Sequence, residues 1–180
     1  MQFHFTNNIL FTERLKLRPL TINDAEDMFE YTSKEASTKY LSWNPHTKVE
    51  QTISFLEELV PKYQSVFTEF SWGIELIDTG KMIGVVKLFE ISTASKRAEV
   101  SYILNSNFQG KGYVNEAIST VINFCFNEMQ FIRVQARCST DNIDSEKVMQ
   151  KAGMSFEGIL KKYWILKGEI KDVKLYAITK

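Results

Sequence analysis

Histidine, cysteine and proline are scarce in this sequence: its 180 residues include two histidines, two cysteines and three prolines. His4 and His46 lie far apart, and no His or Cys pair has metal-ligand spacing, so no metal centre is expected. A Ser-His-Asp or Cys-His enzyme would have to recruit one of those histidines, and neither stands beside a nucleophile elbow. Cys125 and Cys138 fall in a predicted helix and a predicted strand, and read as buried free thiols rather than a disulfide. An excess of charge is missing too. Lys plus Arg and Asp plus Glu number 22 each, a formal net charge of zero. No basic field therefore holds nucleic acid or an anionic membrane, and any basic patch must come from geometry. No apolar run approaches a membrane span, and Met1-Gln2-Phe3-His4-Phe5 lacks the charged start and apolar stretch of a secretory leader. A cytoplasmic chain is expected. The phosphate-loop pattern is absent as well, because Gly110-Lys111 is followed by Gly112 rather than Ser or Thr.

What is present is the composition of an ordinary globular protein, 44% hydrophobic and 24% charged. The length suits one domain over 1–180, long enough to bury roughly 70% of its unfolded surface. Apolar and basic residues alternate over 14–18, a first strand closed by Pro19. Thr21 to Asp24 offers capping residues for a helix to about residue 33, and 40–46, with Trp43, reads as a loop. Helical spacing runs over 48–67, with a kink or restart at Pro61. Strands over 71–77 and 82–89 join through Asp78-Thr79-Gly80-Lys81 as a hairpin. A strand over 96–104 turns Ala98, Val100, Tyr102 and Leu104 one way and Glu99, Ser101 and Ile103 the other.

The stretch Phe108-Gln109-Gly110-Lys111-Gly112-Tyr113-Val114 follows that strand and opens an amphipathic helix to about residue 130. A glycine turn there exposes backbone N–H groups at the positive end of the helix dipole, a seat for phosphate or diphosphate. Gly110 and Gly112 let a ligand approach the backbone, and Lys111 adds positive charge. Taken alone, a short Gly-x-Gly turn is also what a plain tight connection looks like. A strand over 131–138 follows the helix, so a parallel, right-handed βαβ crossover is expected. Asp141 or Asn142 caps a further helix that Gly153 ends, and strands over 156–166 and 170–178 complete an α+β or mixed α/β sheet flanked by helices.

These residues resemble a known superfamily. Gln109-Gly110-Lys111-Gly112-Tyr113 is similar to the acyl-CoA motif of the GNAT N-acetyltransferases, and Asn142-Ile143-Asp144-Ser145 with Lys151-Ala152-Gly153-Met154 and Glu157-Gly158 resembles their later CoA-side motif. Thr12-Glu13-Arg14-Leu15-Lys16-Leu17-Arg18-Pro19-Leu20 and Ala98-Glu99-Val100-Ser101-Tyr102 look like the RimJ/RimL-like branch, whose best-known members acetylate ribosomal-protein N-termini. The likeness covers about 12–178. It implies a sheet that splays at the acyl-CoA site, acetyl-CoA as cosubstrate without a metal, and direct attack by an amine on the thioester. Val114 departs from the usual Gly or Ala, Met154 from the usual Phe, and Met149 from a tyrosine that protonates the leaving thiolate; methionine cannot.

Under that resemblance, Gln109, Gly110, Lys111, Gly112, Tyr113 and Val114 hold the diphosphate, and backbone N–H groups of Tyr102, Ile103 and Leu104 face the thioester oxygen. Asn142 bonds the pantetheine or merely caps its helix, and Ser145 is the hydroxyl available to the sulfur or a plain first-turn serine. Glu99 is the candidate base, directly or through water, with a satisfied structural carboxylate as the other reading. Trp43 and Tyr163 are candidates to line an acceptor groove, with core packing as the alternative. The acceptor is a primary amine, on a protein N-terminus or a small molecule such as a polyamine or antibiotic. An inactive CoA-binding sensor, which Met149 would favour, and a generic nucleotide-binding domain are the rival readings. Monomer and homodimer both stay open.

Overall fold

The computed structural model describes residues 9–61 and 69–180. Its strands are β1 (Leu10–Phe11), β2 (Leu15–Pro19), β3 (Phe70–Leu76), β4 (Met82–Ser92), β5 (Arg97–Leu104), β6 (Arg133–Ser139), β7 (Ser155–Leu166) and β8 (Glu169–Thr179). Its helices are α1 (Ala25–Thr32), α2 (Glu35–Thr38), α3 (Val49–Leu59), α4 (Tyr113–Asn127) and α5 (Ile143–Lys151). The strands form one eight-stranded mixed sheet in the order β1-β2-β3-β4-β5-β6-β8-β7. Every neighbouring pair is antiparallel except β5 and β6, which the α4 crossover forces to run parallel.

Period-2 alternation decides which helix each strand residue meets. Val86, Val100 and Leu104 join Trp72, Val134 and the α4 stripe Ala117, Ile118, Val121 and Cys125 in the larger core. Their neighbours Val85 and Ile103 pack instead with Met82 against Met28 and Tyr31 of α1 and Leu56 of α3. Helices therefore cover both faces. Each large apolar side chain buried in these cores contributes about 1.5–3 kcal/mol.

Most expected elements are present, with shifted ends. Of the 48–67 helix, α3 covers Val49–Leu59 and a 3-10 turn covers 60–61, where a kink is expected, while residues 62–68 with Tyr63 lie outside the described residues. Pro61 explains the end of α3, because it lacks an N–H and clashes with the preceding turn. His4 also lies outside the described residues. The four-residue α2 and two-residue β1 carry too little periodicity to be seen in advance. Ile132 is exposed and precedes β6, so the buried alternation begins at Val134. Both cysteines are buried free thiols.

The seam that matters lies mid-sheet. β5 and β6 pair only at Arg97↔Arg133, Ala98↔Val134 and Glu99↔Gln135. Beyond, β5 stays paired with β4 to Leu104, while β6 stays paired with β8 to Ser139. The sheet thus splays between them, beside the glycine turn.

Candidate functional site

At the turn, Gly110 (φ 77°) and Gly112 (φ 85°) adopt the left-handed conformation that side chains resist. Gly112 is the N-cap of α4, and its carbonyl accepts from the Glu116 N–H at 3.1 Å. Among the described residues, the N–H groups of residues 110–115 donate to no protein acceptor. None is consumed internally, and Gly110, Lys111 and Gly112 are exposed. A run of unspent donors at the positive end of a fifteen-residue helix favours an anion. The Lys111 ammonium lies over the Phe108 ring, 5.5 Å from its centroid.

The splay supplies a second set of donors. Asn105 N–H donates to the Ile83 carbonyl at 2.8 Å, and register is regular from there back to Glu99. Antiparallel alternation then turns the N–H groups of Tyr102 and Leu104 away from β4, toward the opening that β6 has left. The Ile103 N–H faces β4, so of the three expected oxygen-facing donors it is the one committed to the ladder. Gly84, opposite Leu104, allows this: a Cβ there would lie 2.4 Å from the Ile103 carbonyl oxygen.

Beneath the opening, β5 reaches α5 through side chains. The Tyr102 hydroxyl lies 2.8 Å from Ser145 Oγ and 2.9 Å from the Ser145 carbonyl. When the phenol donates to Oγ, the serine proton is free for another acceptor. Burial pushes the Tyr102 phenol up, so it stays protonated. Asn142 Oδ1 caps α5 by accepting from the Ser145 N–H at 3.2 Å, which leaves its NH2 group for a ligand. Asn142, not Asp141, is the cap. Met149 is buried in the larger core.

On the opposite face Glu99 is buried and bonded by Arg137 Nε at 2.7 Å and Gln135 Nε2 at 3.0 Å. Each oxygen keeps one lone pair free. Burial raises the Glu99 carboxyl above its ordinary range, and the bonds from Arg137 and Gln135 only partly oppose this. Arg137 also pairs with Glu90 Oε1 at 2.6 Å, bonds the Tyr163 hydroxyl, and lies 4.9 Å over that ring. Tyr163 is thus joined to Glu99 through one guanidinium, at a bulge in β7 between Leu160 and Trp164. Trp43 sits apart from that network. Its ring packs on His46 at 5.1 Å, in the segment between α2 and α3.

Sequence patterns missed several contributors. The Tyr40 hydroxyl donates to the Asp141 carbonyl at 3.1 Å, tying the segment after α2 to the start of α5. A groove of about 500 Å³ runs alongside, lined by Thr140, Asp141, Lys162, Ile170, Lys171 and Asp172. Arg14 meets the glycine turn itself at the Lys111 carbonyl, and Thr12 meets Glu116 in the first turn of α4; the basic alternation over 14–18 was the signal for Arg14, but it spoke only of a strand. Among the described residues no group of three or more His, Cys, Asp or Glu side chains can hold a metal, and no helix is long and apolar enough to cross a membrane.

Residues 14–155 match the family model for the acetyltransferase (GNAT) domain. The uncharacterized N-acetyltransferase YoaA of Bacillus subtilis (strain 168) is 33% identical over 172 residues, 96% of this chain and 97% of that protein. The ribosomal-protein-serine acetyltransferase of Escherichia coli (strain K12) is 25% identical, with 96% of each chain covered. Among solved structures, the Microcin C7 self immunity acetyltransferase MccE in complex with acetyl-CoA and AMP superposes with a TM-score of 0.84 at 26% identity, covering 94% of each chain.

Proposed function

The chain belongs to the GNAT family of N-acetyltransferases, and on that premise we propose that it acetylates the N-terminal amine of a protein, with acetyl-CoA as donor. One observation carries this reading: unspent donors at 110–115 lie beside a seam whose opening is bordered by the N–H groups of Tyr102 and Leu104 and by the Ser145 hydroxyl. The donor set fits the two anionic demands of a CoA thioester, a diphosphate to seat and a carbonyl oxygen to polarise. The solved relative MccE carries acetyl-CoA in its own complex.

In the reaction the amine nitrogen bonds to the thioester carbon, the carbon–sulfur bond breaks, and the sulfur leaves as thiolate. The free N–H groups of residues 110–115 seat the phosphates, whereas the Gln109 N–H, expected among them, is spent on the Ser106 carbonyl at 3.3 Å; the Asn142 amide bonds the pantetheine. The Tyr102 and Leu104 N–H groups stabilise the developing oxyanion. Glu99 takes the amine proton, directly or through one water, and burial, which raises its carboxyl, makes it a stronger base than an exposed carboxylate. Ser145 gives its proton to the sulfur while the Tyr102 phenol, itself staying protonated, donates to the oxygen left behind, and Oγ regains a proton from solvent when CoA leaves. That places the acid on the same helix as Met149, which has no proton to give.

A protein N-terminus as acceptor is supported by the likeness to the ribosomal-protein-serine acetyltransferase. Tyr163, joined to Glu99 through Arg137, is the aromatic offered to the acceptor; the packing of Trp43 on His46 gives it no such link. CoA release measured against peptides with free or blocked N-termini and against spermidine tests the proposal. Free-amine peptides should turn over and blocked ones should not. Faster turnover of spermidine would move the acceptor to small amines, and no turnover with any amine despite CoA binding would reject the mechanism.

A further inference from the structure

Glu116 poses a problem for the glycine turn. It stands in the first turn of α4, where a bare carboxylate would repel the phosphates that the free N–H groups of residues 110–115 attract. The structure surrounds it from an unrelated part of the chain. Arg14 Nε and Nη2 donate to Glu116 Oε2 at 2.8 and 2.5 Å, and the Arg14 backbone N–H donates to Oε1 at 3.1 Å. Thr12 Oγ1 donates to Oε1 as well. The remaining guanidinium nitrogen, Nη1, donates to the Lys111 carbonyl at 3.1 Å, within the turn. The guanidinium also stacks on Tyr113, its carbon 4.5 Å from the ring centroid, and Nη2 would lie 3.6 Å from a Cβ on Gly112.

From this geometry we infer that Arg14 is a positioning residue for the phosphate end of acetyl-CoA: it neutralises Glu116 and, by holding the Lys111 carbonyl back, keeps the Gly112 N–H facing outward. The inference rests on the acetyl-CoA reading and adds to it a residue some hundred positions from the motif. Holding a peptide carbonyl on one side fixes the direction of the N–H on the other, because the peptide unit is planar. Two bonds to one carboxylate also give the guanidinium a fixed orientation that a lysine could not reproduce. Glu116 agrees with this account. Burial alone would raise its carboxyl, yet the bonds from Thr12 and Arg14 outweigh burial and hold it below the ordinary value.

The test compares binding of CoA with binding of S-acetylpantetheine, which has no phosphates, by calorimetry on the full chain. Arg14→Ala should weaken CoA about tenfold or more and acetylpantetheine less than about twofold. Arg14→Ala combined with Glu116→Gln should recover part of the lost CoA affinity, because the charge to be neutralised has gone. An unchanged CoA affinity in Arg14→Ala, an equal loss for both ligands, or a double variant no better than the single would each overturn the inference. Should Arg14→Ala not fold, Arg14→Gln with and without Glu116→Gln carries the same comparison. Wild-type protein that binds no CoA would instead overturn the acetyl-CoA reading itself.

Discussion

The two halves of the β5–β6 seam are built from the same strands and do opposite things. Over residues 97–99 and 133–135 the strands pair, and backbone groups satisfy one another inside the sheet. Over 100–104 and 136–139 each strand keeps its outer partner and abandons the inner one. Ordinarily such unpaired groups in a sheet interior are costly. Here the opening falls next to the glycine turn and faces α5, where a ligand can take the place of the missing strand. The closed half carries Glu99, buried and paired; the open half carries the Tyr102–Ser145 hydroxyls. Stability is concentrated in one half and ligand-directed donors in the other.

Breaking the closed half should have the largest effect. Glu99→Ala leaves Arg137, whose side chain is 6% exposed, with only the more exposed Glu90 for charge compensation. We expect a loss of about 3 kcal/mol or more in urea unfolding, together with loss of acetyl transfer. A pH titration sharpens this prediction. Because burial raises the Glu99 carboxyl above 4.5, the folded chain still holds that proton where the unfolded chain has lost it. Its contribution to stability therefore falls as pH rises from about 4.5 through the raised native value, while the acetylation rate gains an acid limb rising over the same window. Glu99→Gln should abolish both; a rate limb unchanged in Glu99→Gln would remove Glu99 from the role of base.

Ser145→Ala breaks the open half without disturbing the closed one. The turnover number should fall about a hundredfold with CoA affinity nearly unchanged, and a full-rate variant would hand the thiolate's proton to water. Tyr102→Phe should cost less, since Ser145 keeps its own proton.

Gly84→Ala tests how the opening is shaped. A Cβ placed 2.4 Å from the Ile103 carbonyl forces β4 and β5 apart beside Leu104. A loss of about 1–3 kcal/mol in stability is expected, with a rate loss beyond what the remaining folded fraction explains. The smallest effect should come from Asn142→Ala, about 1 kcal/mol from the lost cap of α5. CoA affinity should drop as well, and a stability loss without any affinity loss would make Asn142 a cap alone.

Some of this was legible because its causes are local. A period-2 run, then Gly-x-Gly, then a period-3.6 run can only be a strand, a turn and a helix, and Gly110 and Gly112 do occupy positive φ. The α4 stripe was readable for the same reason. Glu99 shows where such reading ended. Its place on a strand face could be deduced, but its partners Gln135 and Arg137 come from β6, across the whole α4 crossover. Tyr102 was expected to act through its N–H, and its side chain proved to meet Ser145 because α5 packs against that face. Arg14 reads as one more basic residue of the first strand, and nothing local to it points to the turn.

The sequence by itself determined the elements, their buried faces and the anion-ready turn, since backbone dihedral preference and side-chain periodicity depend on near neighbours along the chain. Tertiary structure alone decided that β5 and β6 part after Glu99 and Gln135, and that Arg14 grips a turn nearly a hundred residues away. Those outcomes turn on which groups packing brings within hydrogen-bond reach, a choice made only when the helices settle on both faces of the sheet.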